Sequence, residues 1–181
     1  MIMAFVGLSL LLAMTPGPDT FLVLRFSLHN AKSGIAAAAG SALGSLLWAF
    51  AVAVGLASLL EQSATAYRIV KIAGGLYLIY LGLRVLLRRQ EATSNLAERP
   101  TGERAPAAAF GPGVMSCALN PKVGLFFLAI VPQFVPQHAS LFAAVLTLGM
   151  IDTAVAFAWL LVISSLAARA VTWLRRPRVT T

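Results

Sequence analysis

The sequence predicts an all-α integral membrane protein with about five transmembrane helices, and three observations lead to that prediction. Hydrophobic residues make up 59% of the 181 residues, and charged residues only 11%. The mean hydropathy is +0.85, and a soluble domain could not hide this much apolar surface from water. The apolar residues also form long blocks, with the charges concentrated in the gaps between them. A single cysteine, Cys117, excludes an intramolecular disulfide framework.

Five apolar blocks are long enough to cross the hydrocarbon core of a bilayer, which takes about 20 residues. They cover residues 1–24, 33–60, 66–87, 107–135 and 139–168. In the third block the charges lie near the two ends, where long side chains reach the membrane interfaces. No basic segment precedes the first block, so we do not expect it to be a cleaved signal peptide.

The lysine and arginine residues are divided unevenly between the two sides of the predicted topology. With the N-terminus outside, the outer side receives only Arg68 and Lys71, and the other loops and the tail carry their positive charge on the inner side. This asymmetry predicts a cytoplasmic face for the basic loops. The same asymmetry accounts for the net charge of +8. Binding of nucleic acid is not needed to explain that charge, and the sequence contains no basic module with interleaved aromatic residues that would bind it.

The polar segment 88–109 is predicted to be a cytoplasmic linker between the third and fourth spans. It divides the chain into a first repeat of three spans, residues 1–87, and a second repeat, residues 110–181. Three spans before the linker put the second repeat into the membrane in the opposite sense, which is the inverted-repeat arrangement of secondary transporters. The second repeat holds two spans and a basic tail, so its third span is predicted to be missing.

Each repeat begins with a span that proline interrupts. Pro16, Pro18 and Pro121 cannot donate backbone hydrogen bonds. The carbonyls expected to lose their helical partners are those of Leu12, Met14 and Cys117. Unpaired carbonyls in lipid cost several kcal/mol each, so the breaks must face protein, water or a ligand. A new half-helix then starts near Asp19, and another follows Asn120 at an N-cap position. Two helix N-termini near the membrane midplane suit a substrate carboxylate.

Three ionisable residues are predicted to lie at membrane depth, and two of them stand beside the breaks: Asp19, Lys122 and Asp152. Each costs at least about 2.5 kcal/mol there unless it is paired, so each is a candidate functional residue. The alternative is a mutual ion pair that only locks the bundle. On another span, Gly40 and Gly44 form a GxxxG pair, which permits close helix packing within the monomer or between protomers.

Three stretches of the chain resemble the lysine exporter (LysE/RhtB) translocator family. They are "TPGPDTFLVL" at 15–24, "KIAGGLYLIYLGLRVL" at 71–86 and "ALNPKVGLFFLAIVPQFV" at 118–135. The resemblance covers nearly the whole chain and implies a bacterial inner-membrane exporter of amino acids or their derivatives, such as threonine, homoserine or lysine, driven by the proton gradient. Family members are expected to have six spans, so this chain resembles a member that lacks the last one.

The repeat and the resemblance together predict a substrate site and a coupling residue. The predicted substrate-binding residues are Thr15, Pro16, Gly17, Pro18, Asp19, Asn120, Pro121 and Lys122. The substrate carboxylate is expected between the half-helix N-termini beside Lys122 and the Asn120 amide, and its amino group is expected to face Asp19 or Asp152. One of these two acids exchanges the coupling proton, and Asp152 is favoured because it matches the acidic position of the fifth span. No other cofactor and no metal is expected.

Two other functions stay open at this stage. One is a truncated membrane subunit that does not transport, since a lost span would open half of the binding site. The other is an intramembrane enzyme, against which stands the absence of HExxH, of a serine–histidine pair and of a protease-like acid pair in the spans. The predicted partners are a small amino-acid substrate, the lipid bilayer and, through exposed small-residue faces, a second copy of the chain.

Overall fold

The computed structural model describes residues 1–63, 105–136 and 139–174, and six isolated helical positions between residues 65 and 79. Every regular element in this part of the chain is helical, which confirms the predicted all-α class. Most of the third predicted span, the linker before residue 105 and the basic tail after residue 174 lie outside the described residues.

The first predicted span is a pair of helices, α1 (Ile2–Met14) and α2 (Pro18–His29), that meet at an angle of 59°. Residues 15–17 between them are the first break. Helix α1 stops here because neither Pro16 nor Pro18 can donate the next helical hydrogen bond. Helix α3 (Ala31–Gln62) follows at once, because the Asn30 side chain accepts a hydrogen bond of 2.9 Å from the Lys32 N–H.

The fourth predicted span is broken in the same way. A 3₁₀ turn, Pro106–Ala109, leads into α4 (Phe110–Ala118), and residues 119–120 form the second break. Helix α5 (Pro121–Leu125) continues as a π-helical turn and a 3₁₀ turn, and the two arms of the span meet at 50°. The last helix, α6 (Leu141–Leu174), is unbroken.

Helices α3 and α6 are each long and apolar enough to cross a membrane, over Ala31–Gly55 and Leu141–Val171. The described residues therefore contain two such helices, or up to four spans if each bent pair counts as one. Both halves of the chain run in the same order, a broken span and then an unbroken helix. The third predicted span has four described apolar residues, Ile69, Ile72, Leu76 and Ile79. They are spaced by three or four residues and are each more than 60% exposed, as expected of the lipid-facing side of a helix.

Small residues bring α3 and α4 into backbone contact. A Cβ atom on Gly40 or on Gly113 would overlap the backbone of the facing helix, at Phe110 and Ala37 respectively. A Cβ atom on Gly44 would lie only 2.7 Å from the Cβ of Cys117. The GxxxG pair of α3 therefore packs within the monomer, which decides between the two alternatives left open by the sequence.

Two apolar clusters are separated by a polar layer. The first cluster contains Phe5, Ala49, Val52, Ala53, Phe126, Phe127, Val131, Val145 and Leu148. The second contains Val23, Ala37, Ala38, Ala109 and Leu160. Along each crossing element, the chain passes from one cluster to the other through buried polar residues: Ser9, Ser41, Ser45, Asn120 and Asp152. The fold thus places a polar layer between two apolar ones.

Candidate substrate site

A cavity of about 50 Å³ lies in the polar layer, where the two breaks meet α3 and α6. This is room for a few water molecules, at about 10–15 Å³ for each centre. Five of the predicted site residues form part of its wall: Gly17, Asp19, Asn120, Lys122 and Asp152. Of the remaining predicted residues, Thr15 and Pro16 lie in the first break, and Pro18 and Pro121 are the first residues of α2 and α5.

Asp19 stands in the first turn of α2 and is held by the other half of the chain. Its Oδ1 accepts a hydrogen bond of 2.7 Å from the Ser116 hydroxyl, and its Oδ2 accepts one of 2.8 Å from the Asn120 amide. Hydrogen bonds to an ionised acceptor are roughly twice as strong as those between neutral groups. Both oxygens of Asp19 therefore already have donors, and this contact ties the first broken span to the second.

Lys122 extends from the start of α5 to the end of α1. Its ammonium group donates hydrogen bonds to the backbone carbonyls of Leu12 and Thr15, the latter at 2.6 Å. The Leu12 carbonyl, which proline was expected to leave unpaired, also accepts a 3.2 Å hydrogen bond from the Thr15 N–H, shared with the Leu11 carbonyl. The C-terminal end of a helix favours a cation. Lys122 and Asp19 thus take different partners, where the sequence left a mutual ion pair open as an alternative.

The second break is capped from within its own segment and by α3. The Asn120 Oδ1 accepts a hydrogen bond of 3.0 Å from the Lys122 backbone N–H, as the N-cap prediction required. The Cys117 carbonyl, which was expected to be free, accepts a 3.0 Å hydrogen bond from the Asn120 N–H because the chain tightens into a turn. The Ala118 carbonyl accepts a bond of 3.2 Å from the Trp48 indole.

Asp152 lies on α6 at the far side of the cavity and is 3% exposed. The Ser45 hydroxyl is 3.5 Å from its Oδ2, a long hydrogen bond to a neutral group. Ser9 also lines the cavity; its hydroxyl is buried and has no hydrogen-bond partner among the described residues. A carboxylate with only neutral neighbours at hydrogen-bonding distance is costly at this depth, which keeps Asp152 a candidate functional residue.

Four residues of the site were not anticipated from the sequence: Ser9, Ser45, Trp48 and Ser116. Ser116 stands four residues before Asn120, and Ser45 stands four after Ser41, so helical spacing could have flagged two polar faces. No signal in the sequence pointed to the Trp48 contact, since an indole in a membrane span is equally suited to packing or to an interface.

Comparison with known proteins places the chain among transporters. It matches the LysE type translocator family over residues 10–181. It is 27% identical to YrhP, an uncharacterised membrane protein of Bacillus subtilis, over 98% of this chain and 88% of that protein. It is 29% identical to the leucine efflux protein of Klebsiella pneumoniae over 77% of this chain and 68% of that protein. It is also 30% identical to the threonine efflux protein of Salmonella typhi, over 86% of this chain and 76% of that protein. No solved structure matches it.

Proposed function

The chain belongs to the LysE type translocator family, and on that basis we propose that it exports an amino acid or a close derivative across the bacterial inner membrane. The efflux of leucine and of threonine named for two relatives supports this substrate class. The observation that carries the proposal is the cavity between the two breaks, whose wall holds two acids and one lysine at membrane depth. Such a wall matches a zwitterion, which brings one charge of each sign.

The first break supplies the groups that a substrate carboxylate needs. Helix α2 begins at Pro18, and no side chain caps its N-terminus. The N–H groups of its first turn and the positive end of its dipole are therefore available to an anion. Gly17 lies in the cavity wall, and a Cβ atom added there would be 3.9 Å from the Lys122 ammonium nitrogen. We assign the carboxylate of the substrate to this end of the cavity.

The remainder of the wall is mostly apolar, and it contacts the side chain of the substrate once the cavity widens beyond the few water molecules that fit here. Leu12, Ala42, Val123, Ala156 and Phe157 line it. Contacts of this kind distinguish one methylene group by only about 1–3 kcal/mol. We therefore propose a transporter for compact neutral amino acids that tolerates several related side chains.

Asp152 carries the coupling proton in this proposal. A buried carboxylate beside neutral hydroxyls is stabilised in its protonated form, and release of the proton on the opposite side would couple inward proton flow to outward substrate flow. Alternating access follows from rocking of the first three spans against the remainder, with the basic loops on the cytoplasmic side.

The test is efflux from proteoliposomes loaded with labelled leucine or threonine under an imposed proton gradient. We expect an uncoupler to abolish the efflux driven by the gradient. Asp152→Asn should lower that efflux at least about tenfold and leave exchange of labelled for unlabelled amino acid intact, because exchange requires no net proton movement. Thr153→Val is the matched control, since Thr153 is the buried neighbour and is not part of the cavity wall.

Two results would contradict parts of this proposal. Gradient-driven efflux that survives in Asp152→Asn would show that another group carries the proton. Absence of both efflux and exchange from well-inserted wild-type protein would contradict the export of leucine-like or threonine-like substrates and favour a subunit that does not transport.

A further inference from the structure

The carbonyl end of α1 is an ammonium site built from backbone. The carbonyls of Leu12 and Thr15 both accept hydrogen bonds from the Lys122 ammonium group. Pro16 removes the N–H that would otherwise reach the Leu12 carbonyl, which keeps only a 3.2 Å hydrogen bond from the Thr15 N–H, shared with the Leu11 carbonyl. The helix dipole adds partial negative charge at this end. An ammonium group has three N–H donors and no acceptor. Two converging carbonyl oxygens therefore accept two of its hydrogen bonds and place partial negative charge beside its positive charge.

The same ammonium site borders the cavity. Leu12, Gly17 and Lys122 are all part of the cavity wall. A substrate in the cavity therefore brings its own α-ammonium group close to the carbonyls that Lys122 occupies. Asp19 is less available to that group, since both of its oxygens already accept hydrogen bonds from Ser116 and Asn120.

Lys122 can leave the site without leaving the cavity. A lysine ammonium is a compact charge on a flexible four-carbon stem, whereas its backbone is fixed in the first turn of α5 by the Asn120 cap. Movement of the side chain alone would leave the Thr15 carbonyl without this donor and the Leu12 carbonyl with only the shared Thr15 N–H. It would also release a positive charge beside the uncapped N-terminus of α2, where the substrate carboxylate is assigned.

We propose that Lys122 is a tethered stand-in for the substrate: its ammonium group fills the carbonyl site at the end of α1 in the empty transporter and is displaced by the α-ammonium group of the amino acid. This inference rests on the proposed function for the identity of the ligand, but the carbonyl site itself does not. Substrates must then carry a free ammonium group, and the displaced Lys122 pairs with their carboxylate. One ammonium group therefore binds the two carbonyls in both states: that of Lys122 in the empty transporter and that of the substrate in the loaded one.

The first experiment measures thermal unfolding of the purified full chain, without any transport. Lys122→Ala should lower the Tm by roughly 5 °C, because two partly buried carbonyls lose a charged donor. Ethylammonium at millimolar concentration should recover at least half of that loss, and tetramethylammonium, which has no N–H donor, should recover none. Lys122→Met is the matched control, because its side chain fills the same space and leaves no room for ethylammonium.

Recovery by both cations, or no recovery by ethylammonium, would overturn the inference. Because this measurement involves no transport, recovery by ethylammonium in a protein that exports no amino acid would retain the carbonyl site and reject only the proposed function.

A second measurement follows the ligand response in the wild-type chain and uses variants only to assign the resonances. The chain has three lysines, Lys32, Lys71 and Lys122, so incorporation of lysine labelled with ¹⁵N at Nζ yields three resonances. Lys32→Arg and Lys71→Arg assign them. Saturating ethylammonium, and separately leucine or threonine, should shift the Lys122 resonance, whereas the N-acetylated amino acids should not. A Lys122 resonance that does not move with ethylammonium would contradict displacement.

Discussion

The two breaks look alike along the chain, but they are held in different ways. At the second break, Asn120 caps its own half-helix and the Trp48 indole binds the Ala118 carbonyl, and both of these contacts join neutral groups. The Asn120 amide also donates to the Asp19 carboxylate. At the first break, no side chain caps α2, and the carbonyls of Leu12 and Thr15 accept hydrogen bonds from an ammonium group on the other half of the chain.

This difference assigns different tasks to the two breaks. The second break is a platform, because its polar groups are satisfied by groups that stay in place and its helix packs backbone-to-backbone against α3. The first break is the substrate-binding element, because its free N–H groups and its carbonyls can each accept a ligand. If this is right, changes at the second break should reduce stability and transport together, and changes at the first should act mainly on the ligand.

The largest effect outside Lys122 is expected for Asn120→Asp. The new carboxylate still caps α5, but it replaces the donor that stands 2.8 Å from Asp19 with a second negative charge. We expect a loss of about 3 kcal/mol in the free energy of unfolding, from the lost charged hydrogen bond and the added repulsion, and at least tenfold slower efflux. Chemical unfolding and efflux rates measure both.

The contact between Asp19 and Asn120 has its own rescue test. In the double variant Asp19→Asn with Asn120→Asp, a donor again faces an acceptor, so stability should return for the most part. Asn30→Asp is the control, since Asn30 caps α3 in the same way at an exposed position. Failure of the double variant to regain stability would show that the pair does not act through this hydrogen bond.

A smaller loss of stability is expected when the packing of α4 against α3 is disturbed. In Gly44→Ala, the new methyl group would lie 2.7 Å from the Cβ of Cys117 and 2.9 Å from the Val114 carbonyl. Overpacking of this kind costs about 1–3 kcal/mol. The Tm should fall accordingly, whereas Gly7→Ala should leave it unchanged or raise it, because no atom lies within 4 Å of that position. Equal Tm values for both variants would contradict the close packing.

The smallest effect is expected for Trp48→Phe. The ring still packs against Gly124, but the Ala118 carbonyl loses the indole donor at 3.2 Å. The cost should be about 1 kcal/mol, with little change in the apparent affinity for substrate, because the change lies in the platform. Trp173→Phe, at a residue that is 58% exposed, controls for the loss of an indole. A change in affinity without a change in stability would place Trp48 in the substrate site instead.

The local features of this protein could be predicted from its sequence, and the partners across the bundle could not. Pro16, Pro18 and Pro121 locate both breaks, and Asn120 is recognisable as a cap, since proline and N-cap effects act within one turn of helix. The partner of Lys122 lies more than 100 residues away. Spacing along one span does not show how deep its residues lie in the membrane relative to those of another span. From the sequence, Lys122 is therefore assigned to the substrate carboxylate, and the hydrogen bond from Ser116 to Asp19 is not predicted.

The central claim is that the first break, with the ammonium group of Lys122, is the place where substrate binds. Its most direct test is efflux from cells that express this 181-residue chain and are loaded with a panel of labelled amino acids. Lys122→Ala is compared with Lys32→Ala, a lysine at an exposed helix start, with rates corrected for inserted protein. The account predicts at least about tenfold slower efflux in Lys122→Ala only. Equal efflux from the two variants would contradict it.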